Sequence, residues 1–211
     1  MKTLRYTLVS DGSSDRALQQ HLTWLLRQHL PERTAIFPEW ADFRPVAPRP
    51  RELSDRLRHA IDFYPCDLLF VHRDAESQPR ERRLGEIRSA LTRSAIESPT
   101  VCVLPVRMQE AWLLFDESAL RRAAGNPHGT VSLDLPRLRD LENVPDPKAL
   151  LFELLKRASE LHGRRRRKFR CSQAAFALAS YISDFSPLRT LSAFRSLEHD
   201  IVEALAANGW N

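Results

Sequence analysis

The segment "DLLFVHRDAES", residues 67–77, constrains the fold more than any other stretch of the chain. Its four apolar residues, 68–71, are followed directly by His72, Arg73, Asp74 and Glu76. A short, continuously apolar strand is typical of a parallel sheet that is covered on both faces. The carboxyl ends of such strands open into the crevice where ligands bind. The segment therefore predicts a buried parallel strand that delivers ionisable side chains to a site.

Strand and helix patterns alternate through the first half of the chain. Apolar or alternating strand patterns cover residues 4–10, 34–40, 67–72 and 100–106, with Pro38 weakening the second of them. Helical spacing of apolar residues covers 17–30, 52–64 and 80–96. This alternation predicts an α/β fold in which a mostly parallel sheet of about four strands is flanked by helices. We expect this core to span residues 1–107.

The second half of the chain has helical patterns only, at residues 110–125, 146–163, 172–183 and 190–209. We expect residues 108–211 to form a helical region packed on the core. No apolar run approaches the roughly 20 residues that a membrane-spanning helix needs. The three cysteines are widely spaced and contain no Cys-x-x-Cys pair, which is typical of thiols in a reducing compartment. A cytoplasmic protein without membrane contact is the expectation.

The positive charge of the chain is local. The net charge is +5, yet six cations lie in the segment 163–170, "GRRRRKFR", and without them 26 basic residues face 27 acidic ones. These six residues, which we call the basic block, are Arg164, Arg165, Arg166, Arg167, Lys168 and Arg170. We expect the basic block to occupy a loop between two helices. Such a block predicts binding to phosphate or to an acidic partner, although a solvated loop without a partner would look the same.

Acidic residues follow three of the predicted strands, at Asp11, at Asp74 with Glu76, and at Glu110. Carboxylates that meet in one crevice repel each other unless a cation lies among them. Oxygen ligands of this kind suit Mg²⁺. Each residue also has a purely structural interpretation, because Asp11 begins a common Asp-Gly turn, Asp74 and Glu76 could cap the next helix, and Glu110 could be a surface acid.

The sequence resembles the TOPRIM domains of topoisomerases, primases and related nucleases. "LVSDGSSDRAL" (8–18) is similar to the acid-glycine turn of that family, and "LLFVHRDAE" (68–76) is similar to its Asp-x-Asp motif. "LPVRMQEAWLLFD" (104–116) is similar to a Glu-Ala-Trp segment of TOPRIM-like proteins encoded beside ABC-type ATPases in bacterial defence islands. The chain departs from the pattern twice, with Asp11 where the family usually has glutamate and His72 where it has the first aspartate.

The resemblance implies phosphodiester chemistry that depends on Mg²⁺ or Mn²⁺. It implies metal ligation by Asp11, Asp74, Glu76 and Glu110, with Asp11 as proton shuttle and with His72 and Asp74 also in catalytic positions. Because imidazole is a poorer partner for Mg²⁺ than for Mn²⁺, His72 favours Mn²⁺. We expect the nucleic-acid backbone to be bound by Arg73, Arg107 and the basic block.

The leading hypothesis from the sequence is thus a metal-dependent nuclease of phage defence that works with an ATPase partner and is able to form homo-oligomers. A second hypothesis is a catalytically inactive TOPRIM-like subunit that binds nucleic acid or a partner protein, and His72 favours it. A third is a phosphotransferase or phosphatase acting on a small molecule in the same crevice, where the basic block would have no role.

Overall fold

A computed structural model describes residues 2–74 and 78–210 of the chain. Its four strands are β1 (Thr3–Val9), β2 (Ala35–Trp40), β3 (Leu68–His72) and β4 (Thr100–Val103). They form one sheet in the order β2-β1-β3-β4, and every neighbouring pair is parallel. This confirms the predicted α/β fold with a parallel sheet of four strands flanked by helices.

The strand order reverses direction between β1 and β3. The chain moves from β1 to β2 on one side and then returns past β1 to β3 and β4 on the other. β1 and β3 are direct neighbours, with Val9 opposite Val71. In a parallel sheet such a reversal leaves a crevice at the carboxyl ends of the two strands. Asp11 lies two residues beyond Val9, and Arg73 lies two residues beyond Val71. Both residues therefore lie at the crevice.

Three helices connect the strands: α1 (Leu18–His29), α2 (Leu53–Phe63) and α3 (Arg80–Ser94). Right-handed crossovers place α1 on one face of the sheet and α2 with α3 on the other. The Tyr6 hydroxyl accordingly donates to the Gln19 carbonyl of α1, at 3.0 Å. On the opposite face Val9, Leu69 and Val71 share one buried cluster with Leu57 of α2 and Ile87 of α3.

Pro38 lies inside β2, opposite Tyr6 of β1. Proline has no N–H group to donate to a neighbouring strand, so it is tolerated at the edge of a sheet. β2 is an edge strand and its residues are partly or fully exposed, which explains how the sequence accommodates a proline there.

The remaining helices are α4 (Glu117–Ala123), α5 (Pro147–Ala158), α6 (Gly163–Arg167), α7 (Cys171–Tyr181) and α8 (Ser192–Ala207). Short 3-10 helices cover Ser13–Ala17, Gln109–Leu113, Leu138–Asn143 and Ser186–Thr190. The single helix predicted over 110–125 is divided, because the Asp116 carboxylate accepts from the Ala119 N–H group at 2.9 Å and starts α4 anew. The predicted strand 100–106 ends at Val103, shortly before Pro105.

The chain divides into two compact units. One comprises Met1–Leu104 together with Ser196–Asn211, and the other comprises Pro105–Arg195. The boundary at Leu104 lies near the predicted one at residue 107, whereas the end of the chain belongs to the α/β unit rather than to the helical region. None of the helices in the described part of the chain has the length and apolar character needed to cross a bilayer.

Candidate functional site

Asp11 lies at the crevice between β1 and β3 and is held by two arginines. Its Oδ1 atom is 2.8 Å from Nη1 of Arg56, which α2 supplies. Its Oδ2 atom is 2.8 Å from Nε of Arg73, which directly follows β3. Both carboxylate oxygens therefore face cationic groups. In this arrangement Asp11 acts as the counter-ion of two guanidinium groups. Its predicted role as metal ligand and proton shuttle would require both guanidinium groups to move away.

Two further arginines, Arg44 and Arg49, line a cavity that Asp11 also lines. This cavity has a volume of ≈ 200 Å³, and Arg56 lines it as well. Arg44 also makes a forked contact with Asp42, and its hydrogen bonds hold the pKa of that carboxyl at about 2. Asp42 is consequently ionised across the physiological pH range, as is Arg44. The surroundings of Asp11 are thus rich in positive charge rather than in the acids that the sequence predicted.

His72, the last residue of β3, is buried and has an oxygen atom facing each ring nitrogen. Its Nδ1 lies 2.9 Å from the Val103 carbonyl oxygen, which can only accept, so Nδ1 carries a proton. Its Nε2 lies 3.4 Å from Oδ1 of Asp74. Burial alone would lower the pKa of His72, but Asp74, the charge of Asp15 and the Val103 carbonyl outweigh it, so the pKa lies above its ordinary value. The contacts favour an imidazolium ion.

Asp15 is a member of this group that the sequence did not single out. Its buried carboxylate accepts from the Gly12 N–H group at 2.8 Å and from the Ser14 hydroxyl at 3.1 Å. The structure places the charge of Asp15 near enough to His72 to help raise the pKa of the imidazole. The signal available in the sequence is its spacing of three residues from Gly12, which matches the reciprocal capping contact that it makes.

Glu110 belongs to the other unit, within the 3-10 helix Gln109–Leu113. It is buried, and its Oε1 atom lies 3.6 Å from Nζ of Lys148. Arg107, in the same unit, has a backbone φ of 63°, which is an uncommon conformation for a residue with a side chain. Glu76, the remaining predicted metal ligand, lies outside the described residues.

The fit of a divalent metal can be tested on these contacts. Across residues 2–74 and 78–210, no group of three or more histidine, cysteine, aspartate or glutamate side chains is arranged to hold a metal ion. Asp11 faces arginines, while His72 lies 3.4 Å from Asp74 and near the charge of Asp15. The described residues therefore do not supply the set of ligands that the sequence predicted for Mg²⁺ or Mn²⁺.

The basic block forms the second candidate site. The structure places Arg164–Arg167 in the short helix α6, where the sequence predicted a loop. The helical conformation suits consecutive arginines, whose straight side chains lose little rotamer freedom in a helix. All six cations of the block are exposed, while Phe169 is half-buried. Among the residues that the structure describes, none of the six makes an ion pair.

Comparisons of the chain with protein-family models, curated protein sequences and solved structures found no match. The TOPRIM resemblance thus stays a prediction that rests on the residues quoted for it.

Proposed function

We propose that the protein binds the phosphate backbone of nucleic acid, without sequence preference and without metal-dependent cleavage. The basic block is the surface that makes this contact. The proposal rests on one observation: the six cations of the basic block are exposed and have no acidic partner in the described part of the chain.

The charge balance of the chain supports a phosphate partner. Exposed arginines usually lie among acids, and the chain outside the block is nearly neutral, with 26 basic and 27 acidic residues. Successive residues of a helix are about 100° apart, so four consecutive arginines point in most directions around α6. About three of the six cations can face one strand of a nucleic acid at a time. A contact of that size gives affinity that depends strongly on salt.

The arrangement around Asp11 supports binding rather than cleavage. A nuclease of the predicted type needs carboxylates gathered around metal ions. Asp11 is instead neutralised by Arg56 and Arg73, and this places positive charge at the crevice. Arg73 was predicted to bind phosphate, and its position at the end of β3 is compatible with that role.

The experiment measures binding of duplex and single-stranded oligonucleotides at several salt concentrations. Changing all six cations of the block to Gln should reduce the slope of log K against log [salt] by about two to three, because about three phosphate contacts are lost. A matched pair of variants isolates the block. Arg165→Gln/Arg166→Gln should weaken binding, whereas Arg137→Gln/Arg139→Gln, which removes the same charge from exposed positions of the same unit, should not. Equal loss in both pairs would refute the assignment.

A second candidate function is the metal-dependent nuclease, and one contact favours it. His72 donates through Nδ1 to Val103, which leaves Nε2 facing Asp74 at 3.4 Å. A backbone carbonyl often orients a metal-binding histidine in this way, and a metal bound at Nε2 would take the place of the proton there. Incubation of plasmid DNA and tRNA with Mn²⁺ tests the candidate, with Asp74→Ala as the inactive control. Cleavage that Asp74→Ala abolishes would replace the binding proposal. Association with an ABC-type ATPase and a role in phage defence stay predictions of the resemblance.

A further inference from the structure

A second cavity in the α/β unit has four arginines and two glutamates among its lining residues. It has a volume of ≈ 520 Å³ and lies beside the beginning of α2, the exposed side of α3 and the residue that follows β3. Its charged lining residues are Arg51, Arg73, Arg83, Arg93, Glu52 and Glu86. We call it the arginine pocket.

Two of the four arginines have acidic partners and two do not. Arg83 contacts Glu86 at 2.9 Å, and this hydrogen bond lowers the pKa of Glu86. Arg73 contacts Asp11. Arg51 and Arg93 are exposed, and within residues 2–74 and 78–210 neither makes an ion pair. The pocket therefore has two cations without partners, brought together from the start of α2 and the end of α3.

The relative position of these two helices is fixed by a buried contact. The Ser94 hydroxyl, at the end of α3, donates to the Ser54 carbonyl at the beginning of α2 over 2.8 Å. Arg93 and Arg51 lie close to these residues in the sequence. Arg51 and Arg93 therefore come from two chain segments that this contact holds together, and both line the pocket.

Gly85 provides an independent observation. It lies inside α3 and lines the pocket. Glycine costs about 1 kcal/mol relative to alanine inside a helix. A Cβ atom added at Gly85 would meet nothing within 4 Å, so close packing does not require a glycine there. What the missing side chain leaves is open volume in the wall of the pocket.

We infer that the arginine pocket binds a phosphate or pyrophosphate group. Guanidinium groups recognise phosphate oxygens with paired hydrogen bonds. Every lining residue that the structure describes is non-aromatic, so a base has no ring on which to stack. Recognition is directed to the phosphate itself, whether that phosphate belongs to a free nucleotide or to the end of a nucleic-acid strand. This site is separate from the basic block and does not rest on the proposed function.

The test is calorimetric titration of the full-length protein with inorganic pyrophosphate at low ionic strength, with a chelator present. Arg51→Gln and Arg93→Gln should each weaken binding about tenfold, as expected for loss of a charge-assisted hydrogen bond. Gly85→Glu should abolish binding, because it places a carboxylate in the open volume. Both arginines are exposed, so neither variant threatens folding.

Three controls make the result specific. Arg58→Gln removes an exposed charge from α2 outside the pocket, Gly85→Ala adds a methyl group without charge, and Arg137→Gln/Arg139→Gln removes exposed charge from the other unit. All three should leave pyrophosphate affinity within about twofold of wild type. Absence of saturable binding, or equal losses in Arg58→Gln and Arg51→Gln, would overturn the inference.

Competition identifies the source of the phosphate. Displacement of pyrophosphate by a nucleoside triphosphate indicates a free nucleotide. Displacement by a 5′-phosphorylated oligonucleotide, but not by its 5′-hydroxyl counterpart, indicates a strand end. Failure of the basic-block variant to bind long oligonucleotides while it still binds pyrophosphate would confirm that the two sites are distinct.

Discussion

Arg73 and Asp11 form an ion pair of 2.8 Å across the carboxyl ends of β3 and β1. The pair joins the two residues that the sequence assigned to opposite roles, one to phosphate binding and one to metal binding. Because Arg56 approaches the other carboxylate oxygen, Asp11 offsets the charge of two arginines at the place where the strand order reverses. A negative ligand that approaches Arg73 must compete with Asp11 for it.

Asp11→Asn should therefore strengthen binding of pyrophosphate to the α/β unit. Removing one unit charge a few ångströms from a partly exposed arginine changes the interaction by about 1 kcal/mol, or roughly fivefold in affinity. Titration calorimetry checks the change. The loss of folding stability should be about 1 kcal/mol or less, since the side chain of Asp11 is 49% exposed.

The same variant separates the two candidate functions. If Asp11 is a metal ligand or proton shuttle, Asp11→Asn abolishes Mn²⁺-dependent cleavage. Asp62→Asn, an exposed acid of α2, is the control for a general effect of charge and should change neither measurement.

The buried contact between His72 and Asp74 leads to a prediction about pH. The folded-state pKa of His72 lies above its ordinary value, so the folded protein binds this proton more tightly than the unfolded chain. Its stabilising contribution is complete below the unfolded-state pKa of about 6.5 and is lost as pH rises through the raised folded-state pKa. The free energy of unfolding should therefore decline as pH rises from the unfolded-state pKa to the folded-state pKa of His72.

Asp74→Asn should lower the pKa of His72, because burial then opposes the charged form with less compensation. NMR titration of the His72 imidazole measures the pKa directly, and urea denaturation below and above about pH 6.5 measures the linked stability. Asp62→Asn again provides the control. A His72 pKa that does not fall in Asp74→Asn would mean that the 3.4 Å contact contributes little.

The sheet was predictable from the sequence because each strand has a recognisable pattern in its own residues. Residues 68–71 are apolar without interruption, and an uninterrupted apolar run already indicates burial on both faces. Pro38 weakened the prediction of β2, and the structure accommodates it in an edge strand. The position of Asp11 and Asp74 at neighbouring strand ends follows from the same reasoning.

The charge partners in the crevice were not predictable in this way. Arg56 lies 45 residues from Asp11 in the chain, and the pair depends on how α2 crosses the sheet. The acidic residues were visible as a motif, whereas the arginines around Asp11 are spread over a loop, one helix and a strand end. The division of residues 110–125 depended on Asp116, a capping residue within a pattern that otherwise continues as a helix.

Tyr6 connects β1 to α1 through a buried hydroxyl group. The hydroxyl contacts the Gln19 carbonyl at 3.0 Å and the Thr23 hydroxyl at 2.8 Å. Burial raises the pKa of Tyr6, so the group stays neutral. Tyr6→Phe should lower the free energy of unfolding by about 1–2 kcal/mol, because it leaves Thr23 without this partner. Urea denaturation tests the loss against Tyr181→Phe, whose exposed ring predicts a change within about 0.5 kcal/mol. Equal effects would contradict the role of the hydroxyl.

Gly85 and Gly125 allow a test of backbone conformation without a change in packing. A Cβ atom added at either glycine would meet nothing within 4 Å. Gly85 lies inside α3, whereas Gly125 follows α4 with a φ of 75°, which favours glycine. Gly85→Ala should raise the free energy of unfolding by about 1 kcal/mol, and Gly125→Ala should lower it by a similar amount. Urea denaturation midpoints measure both.

If Gly85→Ala destabilises the protein, the open volume beside Gly85 is not free for a methyl group, and the interpretation of this glycine as part of the arginine pocket fails with it.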